Sequence, residues 1–252
     1  MTDLFNFQNP SMPIFDKQRV KMKEVNYATA NKIITENHYS HCMPCCELAL
    51  GFYVETVLNC VIVFGQSATY RMANSLPSTN YWELVRLFSF DWAGKNIESY
   101  CIGQALKYID KNYHKDLIVS FADPSEGHLG VIYQATNWLY CGFSDMAGNT
   151  IYRIDGDRIH SRSLYAKYGT SDMNLVDKLQ KDNPKSTITT EKYTRKHRYI
   201  YLLGSRKQRK ELRKKLKYKV LPYPKFAAEG SRENRTNSIG EGLGQFQDAA
   251  LE

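Results

Sequence analysis

The chain has 252 residues, of which 42% are hydrophobic and 24% are charged, enough for one globular domain with a sizeable core. The formal net charge of +8 favours an anionic partner such as nucleic acid. No apolar run approaches the roughly 18 residues that a membrane span needs, and no secretory leader opens the chain. We therefore expect a cytoplasmic protein with no membrane partner, whose six cysteines stay reduced.

The first half of the chain predicts an N-terminal arm followed by helices and β-strands. Apolar periodicity and β-branched residues give the boundaries. The predicted elements are an arm over 1–24 that includes at most one short strand, a helix over 26–37, strands over 49–57 and 59–66, a polar loop over 67–80, a strand over 81–90 and a helix from Ser99.

The second half begins with a short apolar strand over 117–119 and an apolar-periodic helix after Gly130, with Val131, Ile132, Ala135 and Trp138 on one face. The remaining predictions are a strand over 140–143, a hairpin over 151–159, a polar helical insertion over 161–190, a strand over 196–203, a basic helix over 204–217, an extended segment over 218–225 and a poorly ordered tail over 227–252. This order predicts an α/β fold, with a mixed central sheet flanked on both sides by helices.

Polar side chains cluster where the strand after Leu117 ends. They are Ser120, Asp123, Ser125, Glu126 and His128. Because α/β sheets place ligands just outside the carboxyl ends of their strands, we interpret this cluster as the functional site. The alternatives are structural: Asp123 as a helix or turn cap, Ser120 as a buried hydroxyl, and His128 as a surface residue.

Further candidates lie upstream and downstream of this cluster. His38, Tyr39 and Ser40 follow the first helix and either line a pocket or cap the helix. Glu83 and Arg86 flank a buried strand, where they form an internal ion pair or hold a substrate. The thiols Cys42, Cys45 and Cys46 invite a zinc interpretation, but a single Cys-x-x-Cys has no second pair at zinc spacing, so we assign no metal site.

A strongly basic segment runs from Lys192 to Lys219. It carries thirteen lysines and arginines against one acid, Glu211, and tyrosines are interleaved. A solvated helix would explain it, but a run so one-sided favours contact with the phosphates of DNA or RNA. The candidate nucleic-acid-binding residues are Arg195, Lys196, Arg198, Arg206, Lys207, Arg209, Lys210, Arg213 and Lys214.

Two blocks of the sequence resemble the Mom proteins of bacteriophages. They are WELVRLFSFDWAGKNIESYCIGQAL and LIVSFADPSEGHLGVIYQATNWLYCG, and the upstream His38-Tyr39-Ser40 and the downstream KHRYIYLL and KYKVLPYPK also match. The resemblance implies a domain over 25–226 with a fold like the GNAT N-acyltransferases. It further implies an enzyme in the cytoplasm of a bacterial host that converts the exocyclic amine of adenine in DNA to a carbamoylmethyl-amine and so protects phage DNA from restriction.

The resemblance and the clusters together lead to residue assignments. The catalytic candidates are Asp123, Ser120, His38, Tyr133 and His128. The candidates for binding the substrate are Tyr39, Ser40, Arg86 and Asn137, and those for binding the donor are Asn96 and Ser99.

The stretch from Asp91 to Ser99 departs from the pyrophosphate loop of ordinary GNAT enzymes, because it has one loop glycine and an acid, Glu98. Coenzyme A binding in the usual manner is therefore in question. The candidate acyl donors are glycyl-tRNA and acetyl-coenzyme A, and iron is an alternative that no motif supports.

The expected partners are double-stranded DNA and, with a glycyl donor, tRNA, and the chain is expected to be a monomer or homodimer. Two other functions stay open. The chain acylates another amine, on a hypermodified pyrimidine or a protein, or it is a non-catalytic DNA-binding module of the same fold.

Overall fold

The structure, a computed structural model, describes residues 16–67, 70–144, 150–159, 164, 167–169, 175–192 and 195–225. Most of the predicted arm, the first half of the predicted insertion and the predicted tail lie outside these residues. The contacts divide the chain into one compact unit up to Pro222 and a second unit from Tyr223. None of the helices that the structure describes combines the length and the hydropathy that a membrane span requires.

Strands and helices are interspersed along the described part of the chain. The strands are β1 (Val20–Glu24), β2 (Leu48–Val54), β3 (Val57–Gly65), β4 (Tyr81–Ser89), β5 (Leu117–Ala122), β6 (Leu139–Phe143), β7 (Thr150–Ile154), β8 (Asp157–Ile159), β9 (Ile188–Lys192) and β10 (His197–Leu202). The helices are α1 (Tyr27–Asn37), α2 (Ile97–Asn112), α3 (Val131–Gln134), α4 (Val176–Asp182) and α5 (Arg206–Lys215).

Seven strands form the central sheet in the order β1-β2-β3-β4-β5-β10-β6. All neighbours are antiparallel except β4 and β5, which are parallel. The predicted mixed sheet is therefore confirmed. Its strands are rich in Val, Ile, Leu and Phe because both faces are covered by helices.

Helices cover opposite faces of the sheet, as predicted. On one face, α2 and α3 pack with the largest apolar cluster, which includes Ile62, Leu84 and Ile118. On the other face, α1 packs over β3, and α5 places Leu212 against a cluster with β5 and β10. The first residue of α1 follows Asn26, whose side chain accepts a hydrogen bond from the Thr29 N–H.

The segment between β6 and β10 contains a second, three-stranded sheet with the order β8-β7-β9. The predicted hairpin around Gly156 is confirmed by β7 and β8. Within the predicted helical insertion over 161–190, the described residues Leu164, Lys167 and Tyr168 and those of α4 are helical, and the segment departs from the prediction only at its end, where Ile188 begins a strand. β9 has a single apolar residue, so its sequence gives no alternating pattern, and it forms because it pairs with β7.

A helix follows Gly130 as predicted, but the prediction that Val131, Ile132, Ala135 and Trp138 form its buried face is wrong. Only 131–134 are helical, and Val131 and Ala135 are exposed, whereas Tyr133 and Trp138 are buried. The chain leaves the helix because Asn137 adopts a left-handed conformation with φ of 61°. This turn carries Trp138 into the core and starts β6.

Candidate active site

The site begins where the parallel strands β4 and β5 separate. Their pairing ends at Glu83 and Val119, although both strands continue. The carbonyl of Leu84 is left without a strand partner on β5, and it accepts a hydrogen bond from the Ser120 hydroxyl at 2.9 Å. The Tyr133 hydroxyl lies 2.8 Å from the same Ser120 oxygen. Because a serine hydroxyl has a single proton, Tyr133 donates to Ser120, and this relay bridges the gap between the strands.

Asp123 follows the end of β5 and is almost fully buried, with 3% of its surface exposed. Its carboxylate lies 3.0 Å from the ammonium group of Lys196, just before β10. The backbone carbonyl of Asp123 accepts hydrogen bonds from the N–H groups of Glu126 and His128. Because a buried carboxylate needs a cationic partner, the fold holds Asp123 in an ion pair with Lys196 at the end of β5.

His38 brings the end of α1 into the same region. Its N–H caps the helix by donating to the Ile34 carbonyl, and its Nδ1 accepts the Ser40 N–H at 3.1 Å. Because an N–H can only donate, Nδ1 carries the lone pair and the proton resides on Nε2. Burial lowers the pKa of His38 to about 4, and nearby Arg86 acts in the same direction. His38 is therefore a neutral donor at neutral pH.

Tyr39 forms the exposed wall of the site. Its ring is tilted against His38 at 4.2 Å between ring centroids, and its edge-to-face contact with His128 is at 6.1 Å. The residue is 48% exposed, yet it lies within electrostatic reach of Lys196 and Asp123. An aromatic ring is thus held open to solvent directly beside the buried ion pair.

β4 supplies a carboxylic acid and a guanidinium group to this region. Arg86 donates from Nε to the Cys42 carbonyl at 2.9 Å and from Nη1 to the Val85 carbonyl at 2.6 Å. Burial raises the pKa of Glu83, while a hydrogen bond from Ser67 and the cations Lys196 and Arg86 lower it. Glu83 therefore belongs to the same charge cluster.

The structure brings most of the predicted site residues together, namely Asp123, Ser120, His38, Tyr133, His128, Tyr39, Ser40 and Arg86. Glu83 and the site role of Lys196 are missing from the assignments made from sequence. Asn137 is exposed on the turn after α3, and its left-handed backbone explains an asparagine there without a role in the site.

The predicted donor residues lie at the N-terminus of α2, the helix that follows β4. Asn96 has a φ of 67° and precedes the first turn, and the Ser99 hydroxyl donates to the Asn96 carbonyl at 3.0 Å. The carboxylate of Glu98, which raised the question about phosphate binding, accepts a hydrogen bond from Ser89 of β4. The negative charge of Glu98 is thus held by a hydrogen bond from β4.

The basic segment divides into two structural parts. The side chains of α5 are exposed, apart from Leu212, and a capping box of Ser205 and Gln208 starts the helix. The prediction that Arg198 binds nucleic acid is wrong as a surface contact. Arg198 is 3% exposed, its guanidinium stacks on Tyr218 at 3.8 Å, and Nη1 donates to the Cys141 carbonyl.

The cysteine-rich stretch beside His38 lies at the edge of this site. In the described part of the chain, no three His, Cys, Asp or Glu side chains come close enough to share a metal ion. In the structure this stretch supports its neighbours, because the Cys42 carbonyl accepts a hydrogen bond from Arg86. The Cys45 carbonyl also packs so tightly on Gly65 that a Cβ there would lie 2.0 Å from it.

The profile of the Mom protein family matches residues 19–225. The chain belongs to the Mom family. It is also 29% identical over 217 residues to the methylcarbamoylase Mom of Escherichia phage Mu, which covers 84% of this chain and 86% of that protein. This Mom family member therefore shares its site-bearing region with that relative, including β4, β5 and β10.

Solved structures with a similar chain path are N-acetyltransferases. A Vibrio cholerae spermidine/spermine N-acetyltransferase has a TM-score of 0.43 and 10% identity, covering 79% of this chain and 98% of its own. A Staphylococcus aureus N-acetyltransferase has a TM-score of 0.41 and 11% identity, covering 73% of this chain and 97% of its own. Scores this low carry no argument about the site of the Mom family member, which rests on its own geometry.

Proposed function

We propose that this Mom family member is a transferase that modifies the exocyclic amine of adenine in DNA to a carbamoylmethyl-amine, and thereby protects phage DNA from host restriction. The name of the phage Mu relative, a methylcarbamoylase, supports transfer of a group of this kind. The observation that carries the proposal is the convergence of α1, β4, β5 and β10 on one cluster around the Asp123–Lys196 ion pair, beside which the Tyr39 ring is exposed.

The cluster has the features that an extruded base requires. An enzyme that acts on a base in duplex DNA must flip it out of the stack and hold it between aromatic or apolar groups. Tyr39 offers an exposed ring steadied by His38 and His128. The Nε2–H of His38 offers a donor for a ring nitrogen of adenine, while Ser40 and Arg86 complete the polar wall.

The proton of the amine passes to Asp123 in this proposal. The amine nitrogen attacks the carbonyl carbon of the donor, the new N–C bond forms, and the bond to the leaving group breaks. Asp123 accepts the proton, and Lys196 keeps the carboxylate ionised beforehand. Burial raises the pKa of Tyr133, so its hydroxyl stays protonated. That hydroxyl donates to Ser120, and the pair holds the end of β5 that precedes Asp123.

Two donors fit this chemistry, and both present an activated carbonyl. With glycyl-tRNA, acylation releases the tRNA, and the free glycyl amine then attacks the ring carbon to form a five-membered spiro intermediate. The bond from the ring carbon to the original amine nitrogen breaks, and that nitrogen becomes the amide of the carbamoylmethyl group. With acetyl-coenzyme A, a separate amidation and oxidation is required. The left-handed Asn96 and the first turn of α2 at Ser99 present backbone N–H groups to the anionic part of either donor.

Nucleoside mass spectrometry of plasmid DNA from a host that expresses the protein tests the proposal. We expect a carbamoylmethyl-adenine nucleoside with the wild-type chain and its loss by a factor of about 10² or more with Asp123→Asn. Asp123→Asn keeps the shape of the side chain, so DNA affinity should change by less than about threefold. Unmodified adenine with mass added to another nucleoside or to protein would overturn the assignment of the substrate.

Growth on glycine labelled with heavy nitrogen separates the donors in the same experiment. Because glycine also supplies a ring nitrogen of every purine, unmodified deoxyadenosine from the same DNA is the reference. Label in the modified nucleoside beyond that in deoxyadenosine supports the glycyl route, and no such excess excludes that route and leaves acetyl-coenzyme A.

A further inference from the structure

The exposed end of strand β6 lies beside the candidate active site. Phe143 is 44% exposed, and it faces His197 of β10, which in turn faces Ala122 of β5, the residue before Asp123. Two strand spacings of about 4.8 Å therefore separate this end of β6 from the strand that carries Asp123. A group bound here would lie roughly 10 Å from the catalytic carboxylate.

Arg195 is held in a fixed orientation at this place. Its Nε donates to the Ser144 carbonyl at 2.7 Å, and its guanidinium lies 5.7 Å from the centroid of the Phe143 ring, within the range of a cation–π contact. The Phe143 ring also packs on His197 at 4.7 Å. The side chain is exposed, so the fixed guanidinium fork is presented to solvent.

The backbone couples this arginine to the ion pair in the active site. The Ser144 N–H donates to the Lys196 carbonyl, and the Lys196 N–H donates to the Ser144 hydroxyl at 3.0 Å. The ammonium group of Lys196 contacts Asp123, while the guanidinium of its neighbour Arg195 contacts the Phe143 ring. The hydrogen bonds between Ser144 and Lys196 thus link the positions of both cations.

We infer that Arg195 binds a single phosphodiester of the modified strand, close to the target adenine, and so sets the register of the DNA over Asp123. A pre-oriented guanidinium matches the two free oxygens of a phosphate. Since DNA rises about 3.4 Å per nucleotide along one strand, a phosphate about 10 Å from the reacting base lies within three nucleotides of it. This role differs from that of α5, whose exposed cations provide electrostatic attraction along the helix. It rests on the proposed function.

The test replaces one phosphate at a time by an uncharged methylphosphonate, in duplexes that carry a mapped target adenine. For the wild-type chain we expect one position within three nucleotides of that adenine to lower kcat/KM by about tenfold to a hundredfold. In Arg195→Ala the penalty at that position should shrink below about twofold, because the partner of the phosphate is already gone. In Arg195→Lys, which keeps the charge and loses the fork, it should be intermediate.

Arg209→Ala on α5 is the matched control, because it also removes one exposed arginine. It should weaken DNA binding while leaving the position-dependent penalty intact. An unchanged penalty profile in Arg195→Ala would overturn the inference. If no duplex is modified at all, the proposed function fails instead, and the same scan read by DNA affinity still decides whether Arg195 and one phosphate are coupled.

Discussion

At the scale of single residues, the protonation state of His38 limits what it can do in catalysis. The Ser40 N–H points at Nδ1, and burial together with Arg86, His128, His41 and Lys196 disfavours the charged ring. The lone pair of Nδ1 already accepts that N–H and Nε2 carries the proton, so neither ring nitrogen is free to take a proton from a substrate. In the proposed mechanism His38 therefore orients a base through its Nε2–H, and Asp123 accepts the proton.

This state of His38 predicts how stability depends on pH. The folded-state pKa of about 4 lies below the ordinary value of about 6.5, so the unfolded chain binds the extra proton first. The free energy of unfolding should consequently fall as the pH is lowered from 7 to 5. We expect His38→Gln to flatten this fall when urea denaturation is measured at pH 5, 6 and 7.

His197 limits the size of the effect, because burial lowers its pKa as well, so part of the slope should survive in His38→Gln. The matched comparison is His197→Gln, which should remove that other part. A variant His38→Gln with the full wild-type slope would contradict the assigned protonation state.

Site residues that are close together in the chain are predictable from the sequence, whereas those that meet only across the sheet are not. Asp123 and His128 stand out because both lie in the turn after β5. Lys196 lies 73 positions after Asp123, and its contribution follows only from the antiparallel pairing of β10 with β5. Glu83 was recognised as part of an internal pair or a substrate grip, but the parallel register that places it beside Val119 could not be inferred.

At the scale of elements, the separation of β4 from β5 shapes the site. The register of β3 with β4 shifts by a β-bulge between Val63 and Phe64, at the level where β4 and β5 separate. Bulges bend the strand that carries them. The bend moves β4 away from β5 beyond Glu83. Ser120 then replaces the lost backbone hydrogen bond by donating to the Leu84 carbonyl.

Ser120→Ala tests this bridge. The substitution leaves the buried Leu84 carbonyl and the Tyr133 hydroxyl without a partner, which should lower the free energy of unfolding by about 1–3 kcal/mol. Urea denaturation measures the change. Ser99→Ala is the control, because its hydroxyl bonds only within the first turn of α2, and it should cost no more than about 1 kcal/mol. Equal costs for the two variants would show that Ser120 bridges nothing.

Elements with strong periodicity were predictable, and those held by tertiary partners were not. The residues Ala30, Ile33 and Ile34 predicted the buried face of α1, and all three are buried. The turn after Gly130 contains apolar residues at helical spacing, yet the left-handed Asn137 ends the helix early. Such a choice depends on how Trp138 fits the core, which the local pattern does not contain.

At the scale of the whole molecule, the two faces of the sheet carry different surfaces. α5 and the apolar cluster beneath it cover one face, and α2 covers the opposite face. A duplex that lies along α5 is therefore screened by the sheet from the exposed lysines of α2. The formal net charge of +8 favours the approach of DNA from a distance, and we propose that the position of α5 determines where the phosphates bind.

This asymmetry predicts the salt dependence of DNA binding. Each phosphate neutralised by a lysine or arginine contributes about 0.9 to the slope of log K against log salt concentration. The double variant Arg209→Ala/Lys210→Ala should therefore reduce the magnitude of that slope by about 2. The slope is measured by fluorescence anisotropy between about 50 and 200 mM salt, the range over which such contacts are lost. Lys107→Ala/Lys111→Ala removes the same charge from exposed positions on α2 and should leave the slope unchanged. Equal reductions in both double variants would mean that net charge, and not the placement of α5, governs the association with DNA.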